Sequence, residues 1–384
     1  MYIQSLLLTI KGLSPEGKYL LVQLIRYFDI YNPIDSSAVQ LAKLCGVSRK
    51  VIVPSMVVLS EAGLIAITNK GKVKKAYQFS IGFFEALEVI KKYRQPLSYS
   101  KALIDELLDS NCEEHDSLNV SHKLLLSLLL AQADSFGIVH DFSIADISKF
   151  TGMKRERVRT QIRKLMTLKY IIYRVSGINN DLLLGKKKGS FYLDLDCNFR
   201  ASIPEQDKVE NVMHINNNNF YNVEILIREM LRTNEKKDVK YKQHNLHDLF
   251  LDDLWFKTIS KILPAKNLGD KYGGYFQYAL EKYTCHMLSK YSEKRCLLIE
   301  EREVVKIRRL KSLFLANKLD GAISDKDVDN LLFYISMLVS NQYLELIDRE
   351  WCKHDGKQYT YQIKILSNNV KVLSRCANNN VFPE

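Results

Sequence analysis

The amino-acid sequence, 384 residues long, predicts a mainly α-helical protein with small β-hairpins. Three observations lead to this fold class. Apolar residues recur at helical spacing over much of the chain, one segment occurs twice, and short alternating strands flank loops rich in glycine and lysine. At this length we expect two or three domains rather than a single core.

The repeated segment carries most of the information. Residues 41–67, LAKLCGVSRKVIVPSMVVLSEAGLIAI, align with residues 147–173, ISKFTGMKRERVRTQIRKLMTLKYIIY, and no gap is needed. Upstream of each copy, a first amphipathic helix is predicted at 13–28 and again at 118–133. A short second helix then ends at a glycine suited to the left-handed conformation that closes a helix. A turn, a third helix and a strand follow, and Ser48 is a good N-cap for the third helix of the first copy.

Each third helix leads into an apolar strand, a basic loop and a second alternating strand. This part reads LIAITNKGKVKKAYQFSI in the first copy and YIIYRVSGINNDLLLGKKKGSFYLDL in the second. Three helices followed by a lysine-tipped hairpin resemble the winged helix-turn-helix domains of MarR-like regulators and of plasmid replication initiators, which often carry two in tandem. The resemblance covers roughly residues 13–80 and 118–195, and it implies DNA binding.

The third helix of the second copy is predicted to read DNA. Val158, Ile162 and Leu165 fall at helical spacing and should be buried, which directs the basic residues outward. Arginine bonds bidentately to guanine and glutamine to adenine, so this helix combines phosphate contact with base readout. A solvated face is the alternative, but Glu156 is the only acid among these bases. The predicted DNA contacts of this copy, loop included, are Lys154, Arg155, Arg157, Arg159, Thr160, Gln161, Arg163, Lys164, Lys186, Lys187 and Lys188.

The third helix of the first copy suits a DNA groove less well. Beyond Arg49 and Lys50 it is apolar nearly all round, and Pro54 at its centre costs roughly 3 kcal/mol in a helix interior. We expect Pro54 to bend or shorten this helix and its outer surface to be covered by protein, as in an auxiliary reader or a dimerisation module. The basic residues of its loop either contact phosphates or merely keep the hairpin soluble. They are Lys70, Lys72, Lys74 and Lys75, which with Arg49 and Lys50 complete the predicted DNA contacts.

The chain is predicted to divide at its linkers. The expected order is a first winged helix-turn-helix over 1–82, a helical connector over 83–117, a second winged helix-turn-helix over 118–200, a linker over 201–220 and a mostly helical C-terminal domain over 221–384. Four successive asparagines in the linker argue against a regular element there. The C-terminal domain ends in a helix and hairpin at 322–366, either a third, degenerate winged helix or an ordinary helix-hairpin.

Composition narrows the partners and the location. A net charge of +12 and a pI near 9.1 are consistent with a polyanionic partner. Seven cysteines without a Cys-x-x-Cys pair, and an N-terminus unlike a signal peptide, predict a cytoplasmic protein. No apolar stretch approaches the ~20 residues that cross a bilayer, so no membrane is expected. Without a phosphate-binding glycine loop, nucleophile motif or metal-ligand spacing, we expect no enzyme activity, cofactor or metal.

The expected function is sequence-specific binding of double-stranded DNA. The first hypothesis is a transcription regulator that reads its site through the second copy and forms a homo-oligomer. The alternative is a replication initiator of a plasmid or other mobile element that binds origin repeats. Because such initiators usually have two basic recognition helices, and the first copy lacks one, the sequence favours the regulator.

Overall fold

The computed structural model describes part of the chain. The described residues are 2–70, 74–93, 99–109, 115–180, 185–199, 203, 208–209, 211–216, 269–291, 336, 340, 343–344, 347, 359–365 and 369–376. Predictions for Lys72 and for most of the C-terminal domain lie outside them. The described part is mainly helical with small antiparallel sheets, which confirms this level of the predicted fold class. None of its helices combines the length and the apolar composition needed to cross a membrane.

The chain forms two compact units. The first consists of Met1–Arg174 and Ser190–Pro204, and the second of Val175–Gly189 and Glu205–Glu384. The three helices of each copy and the segment that connects the copies therefore belong to the first unit. The basic hairpin of the second copy belongs to the second unit.

The first copy contains three helices and a two-stranded antiparallel sheet. After the short helix α1 (Tyr2–Ser5), its elements are α2 (Pro15–Tyr27), α3 (Ala38–Cys45), α4 (Arg49–Glu61), β1 (Ile65–Lys70) and β2 (Lys74–Phe79). The Ser14 hydroxyl accepts a hydrogen bond from the Gly17 amide at 3.0 Å and so caps α2. Gly46 ends α3 in the left-handed conformation, with a φ of 64°, and Ser48 caps α4, both as predicted.

The connector follows in the same unit, as does the second copy apart from its inserted basic hairpin. The connector consists of α5 (Ile81–Tyr93) and α6 (Ser100–Leu108). The second copy contains α7 (Val120–Leu130), β3 (Ile138–Val139), α8 (Ile144–Thr151), α9 (Arg155–Thr167), β4 (Ile171–Val175), the inserted hairpin β5 (Ile178–Asn180) and β6 (Gly185–Lys187), β7 (Ser190–Leu193) and α10 (Leu195–Asn198). Its sheet has the order β3-β7-β4, and a single bridge between Ile34 and Tyr77 takes the place of β3 in the first copy. Gly152 ends α8 with a φ of 73°, as predicted.

A single hydrophobic core joins the two copies. It runs through buried residues from Tyr2 to Ile203 and includes the apolar faces of both copies and of the connector. Helix α2 packs against α7, and α6 packs against α7 as well. At the edge of this core, Arg26 on α2 forms an ion pair of 2.9 Å with Asp105 on α6. The repeat is therefore two similar halves of one packed body rather than two domains on a tether.

A buried lysine fixes the N-terminal segment on α2. Lys18 is 2% exposed, and its Nζ donates hydrogen bonds to the carbonyl oxygens of Ser5 at 2.6 Å and Leu8 at 2.5 Å. Burial lowers the pKa of Lys18 from its usual value to about 7. When the amine of Lys18 is neutral it has two N–H groups, and each donates a hydrogen bond to one of these two carbonyl oxygens.

The second unit contains a long helix and a three-stranded antiparallel sheet among its described residues. The helix is α11 (Gly269–Tyr291), and the sheet has the order β8 (Asn211–Asn216), β10 (Asn369–Cys376), β9 (Tyr359–Ile365). The Ile363 amide donates to Cys285 Sγ at 3.1 Å and ties β9 to α11. Strand β8 lies within 201–220, so residues 211–216 of the predicted linker form a regular element, paired with β10 and with Met213 buried. Of the four successive asparagines only Asn216 belongs to this strand, and the other three lie outside the described residues.

Candidate nucleic-acid interface

Helix α9 exposes a row of arginines on a well-anchored backbone. Val158, Ile162 and Leu165 are buried in the shared core, as predicted from their spacing. Arg155, Arg159 and Arg163 are exposed at every fourth position, so they lie one above another along the solvent face of the helix. We call these three residues the arginine stripe. Lys154, Thr160 and Lys164 are exposed beside it, and the Thr160 hydroxyl donates to the Glu156 carbonyl at 3.1 Å.

Gln161 does not lie on this face, and the prediction that it reads adenine is corrected. Its side chain is only 8% exposed, and its Oε1 atom has no hydrogen-bond partner. The reason is geometric, because Gln161 is three residues after Val158 and four before Leu165 and so shares the buried face.

Arg157 is held against the first copy. Its Nη2 atom donates to Glu16 Oε1 at 2.6 Å and to Ser121 Oγ at 2.6 Å. Glu16 lies in the first turn of α2, and Ser121 lies in the first turn of α7. These contacts position α9 relative to α2 and α7. Arg157 is still 41% exposed, so its predicted contact with DNA stays a prediction.

A further basic residue next to the stripe was not predicted. Arg174 on β4 is partly buried, and its guanidinium carbon lies 5.8 Å from the ring centroid of Phe191. Burial, and to a smaller extent the charge of Arg159, lowers the pKa of Arg174 from its usual value. Its position in the strand after α9 is the sequence signal that could have drawn attention to it.

Arg159 also has an acidic neighbour. Its Nη1 atom lies 3.2 Å from Glu156 Oε1, one turn earlier on α9, and both side chains are more than half exposed. Such surface pairs contribute at most about 1 kcal/mol, so Arg159 can exchange this partner for a stronger acceptor.

Lys164 lies at the edge of the exposed face of α9, near His122 on α7. Burial lowers the pKa of His122, and the positive charge of Lys164 lowers it further.

The loop lysines of the second copy lie in the second compact unit. Lys186 and Lys187 end β6, Lys188 follows it, and all three side chains are exposed. The hairpin pairs Ile178 with Lys187 in an antiparallel register. The chain leaves the first unit after Arg174 and returns to it at Ser190, so these lysines are carried on an insertion between β4 and β7.

Helix α4 presents a different surface at the positions that match the stripe. Arg49, Val53, Val57 and Glu61 are all exposed at every fourth position, Val53 by 47% and Val57 by 41%. Pro54 lies within this helix and is exposed. Helix α4 has 13 residues, as α9 does, so the expectation that Pro54 shortens it is wrong. A proline here removes one intrahelical hydrogen bond without ending the helix.

The remaining predicted contacts of the first copy are partly described. Lys50 is exposed in the first turn of α4, where its amide donates to the Ser48 hydroxyl at 3.4 Å. Lys70 ends β1 and pairs with Lys74, while Lys75 pairs with Asn69. Across the described ranges, no three or more histidine, cysteine or acidic residues come together in a way that could hold a metal ion.

Comparison with known proteins does not assign the chain to a family. No protein-family model and no curated protein sequence matches it.

Proposed function

We propose that the protein is a transcription regulator that binds double-stranded DNA sequence-specifically, with the second copy acting as a winged helix-turn-helix. The observation that carries the proposal is the arginine stripe, three exposed guanidinium groups on a helix whose opposite face is buried. At about 1.5 Å rise per residue, successive stripe residues are separated by about 6 Å, close to two base-pair steps of about 3.4 Å. Helix α9 can thus place several guanidinium groups along one major groove.

The chemistry of the stripe fits base readout better than simple solvation. A guanidinium bonds bidentately to the O6 and N7 atoms of guanine, which a solvating lysine does not do with the same geometry. The partly buried Arg174 adds positive charge beside Arg159, which strengthens the attraction for phosphate. Only α9 carries three arginines at these positions, whereas an initiator that clasps repeats through both copies would need a second basic face on α4.

A binding-site selection followed by titration tests the proposal. The full-length protein is used to select duplexes from a random library, and its affinity is measured on the selected and on a scrambled duplex at several salt concentrations. We expect Arg159→Ala and Arg163→Ala each to reduce the preference for the selected duplex by about 1–3 kcal/mol where the arginine contacts a guanine. The control is Arg49→Ala, an exposed arginine of α4 at the position that matches Arg155, and we expect it to keep the preference.

Two results would overturn the proposal. One is a failure to enrich any duplex, together with an affinity for DNA that does not change with salt, because phosphate contacts release counterions and must weaken as salt rises. The other is an unchanged preference when Arg159 and Arg163 are both replaced. Replication of an origin-only plasmid in the presence of the protein would instead support the initiator function.

A further inference from the structure

Helices α4 and α9 carry different chemistry on the same face. At the four matched positions α9 has Arg155, Arg159, Arg163 and Thr167, and α4 has Arg49, Val53, Val57 and Glu61. All eight side chains are exposed. We call the set on α4 the α4 stripe. The two helices have equal length and follow equivalent glycine turns, so the main difference between the two surfaces lies in these side chains.

The α4 stripe is a poor surface for a polyanion. Its two central side chains, Val53 and Val57, offer no donor to a phosphate or a base edge, and together they form an apolar patch one helical turn long. Its last residue, Glu61, is negatively charged and repels phosphate. The neighbouring helix α3 also has exposed apolar side chains, Val39 at 55% and Leu44 at 41%.

The order of charges along the α4 stripe is self-complementary. The stripe is symmetric about position 55, the middle of the helix. Arg49 and Glu61 are each six residues from this position, and Val53 and Val57 are each two residues from it. If a second α4 approaches in the opposite direction, each Arg49 faces the other helix's Glu61 and each Val53 faces the other Val57. The two helix dipoles then also run antiparallel, which is the favourable arrangement.

We propose that the α4 stripe is a two-fold interface through which two copies of this chain form a homodimer. The same patch on each chain meets itself about a two-fold axis, as in isologous dimers. Burial of the valines stabilises the contact, and the two Arg49–Glu61 pairs at its ends fix its direction. Because one helix supplies less than the roughly 1,200 Å² of a standard interface, the dimer is a weak one with a Kd on the order of micromolar. This inference does not depend on DNA binding by α9.

Sedimentation velocity of the full chain over about 1–100 µM tests the dimer. We expect wild type to pass from monomer to dimer across this range and Val53→Asp to remain monomeric. Val53 and Val57 are exposed, so the fold should survive, and circular dichroism checks this. If Val53→Asp does not fold, the double variant Val53→Thr/Val57→Thr, which keeps the side-chain shape, replaces it and should weaken the dimer.

Charge reversal tests the antiparallel direction. We expect Arg49→Glu alone and Glu61→Arg alone each to raise the dimer Kd by roughly tenfold, because each brings like charges together twice in the dimer. The double variant Arg49→Glu/Glu61→Arg should recover a Kd close to that of wild type. The matched control is Arg155→Glu on α9, which should leave the dimer Kd unchanged.

Three results would overturn the inference. They are a wild-type chain that stays monomeric throughout the range, a dimer that Val53→Asp does not weaken, and a double charge reversal that recovers nothing. A fourth result would show that the α4 stripe contacts DNA instead of a second chain. DNA binding is measured at protein concentrations below the dimer Kd, where the chain is monomeric, and in this result Val53→Asp weakens it as much as Arg155→Glu does. Loss of DNA binding in Arg155→Glu with an intact dimer separates the two proposals.

Discussion

Arg157 on α9 donates a hydrogen bond of 2.6 Å to Glu16 on α2, and this ion pair links the two copies of the repeat. The same Nη2 atom donates to Ser121 Oγ on α7, so one guanidinium meets the first turns of the first helix of each copy. Nearby, Gly152 at the turn before α9 lies against the backbone of Leu13. The start of α9 is therefore positioned by the first copy and not by the second copy alone.

The first prediction concerns the energetic coupling of Arg157 and Glu16. Arg157→Ala and Glu16→Gln should each lower the free energy of unfolding, and the double variant should lower it by less than the sum. Because both side chains are about a third or more exposed, we expect a coupling energy of about 0.2–1 kcal/mol. Chemical denaturation of the four proteins measures it. Additive effects would mean that the contact does not hold in solution.

The second prediction compares two turn glycines. Gly46 and Gly152 both have positive φ, but a Cβ at Gly152 would lie 2.5 Å from the Leu13 carbonyl oxygen, whereas one at Gly46 would meet nothing within 4 Å. We expect Gly46→Ala to cost about 1–2 kcal/mol from backbone strain alone. Gly152→Ala should cost about 1–3 kcal/mol more, because the backbone must shift. Equal losses of unfolding free energy would show that the two copies do not pack closely at this point.

The third prediction concerns the buried amide of Gln161. Gln161→Leu removes a buried oxygen that has no hydrogen-bond partner, so the free energy of unfolding should stay equal or rise by about 1 kcal/mol. The preference for a selected DNA duplex should not change, because the side chain lies on the buried face of α9 and is only 8% exposed. A relaxed preference at an adenine position in the selected duplex would return Gln161 to the DNA-reading face.

The sequence predicts those features of the site that are fixed by residues close together along the chain, and not those fixed by contacts between distant residues. The turn glycines and the buried Val158, Ile162 and Leu165 follow from helix geometry within a few residues, and they were predicted correctly. Gln161 could also have been placed, since residues at i, i+3, i+4 and i+7 share one face. The chemistry of its amide suits adenine, but its position in the helix decides its burial.

The contact of Arg157 could not be predicted from the sequence. Its partner Glu16 is 141 residues away along the chain, and each copy of the repeat accounts for its own core without requiring the other. That α2 packs on α7 is decided by the shapes of two assembled surfaces, which no local pattern specifies. Strand β8 escaped prediction for a similar reason, because its partner β10 lies more than a hundred residues further on.

The fourth prediction concerns pH and Lys18. In the folded state its pKa is about 7, and the usual value is 10.5. Between pH 7 and 10.5 the amine of Lys18 is therefore protonated in the unfolded chain and neutral in the folded chain. The contribution of Lys18 to the free energy of unfolding rises with pH over that window and is constant below it. Relative to Lys18→Met, wild type should gain up to about 1.4 kcal/mol per pH unit. Parallel curves of unfolding free energy against pH for the two proteins would contradict a neutral Lys18.

The shared core of the first unit removes the modularity that a tandem repeat usually keeps. We expect that neither copy folds as an independent fragment, because cutting within the connector would leave the α7-facing side of α2 open to water. Heating should melt both copies in one cooperative transition, and a cavity in either copy should loosen both. Because the stability of each copy is supplied by the shared core, the outward faces of α9 and α4 can differ, and they carry three arginines and an apolar patch respectively.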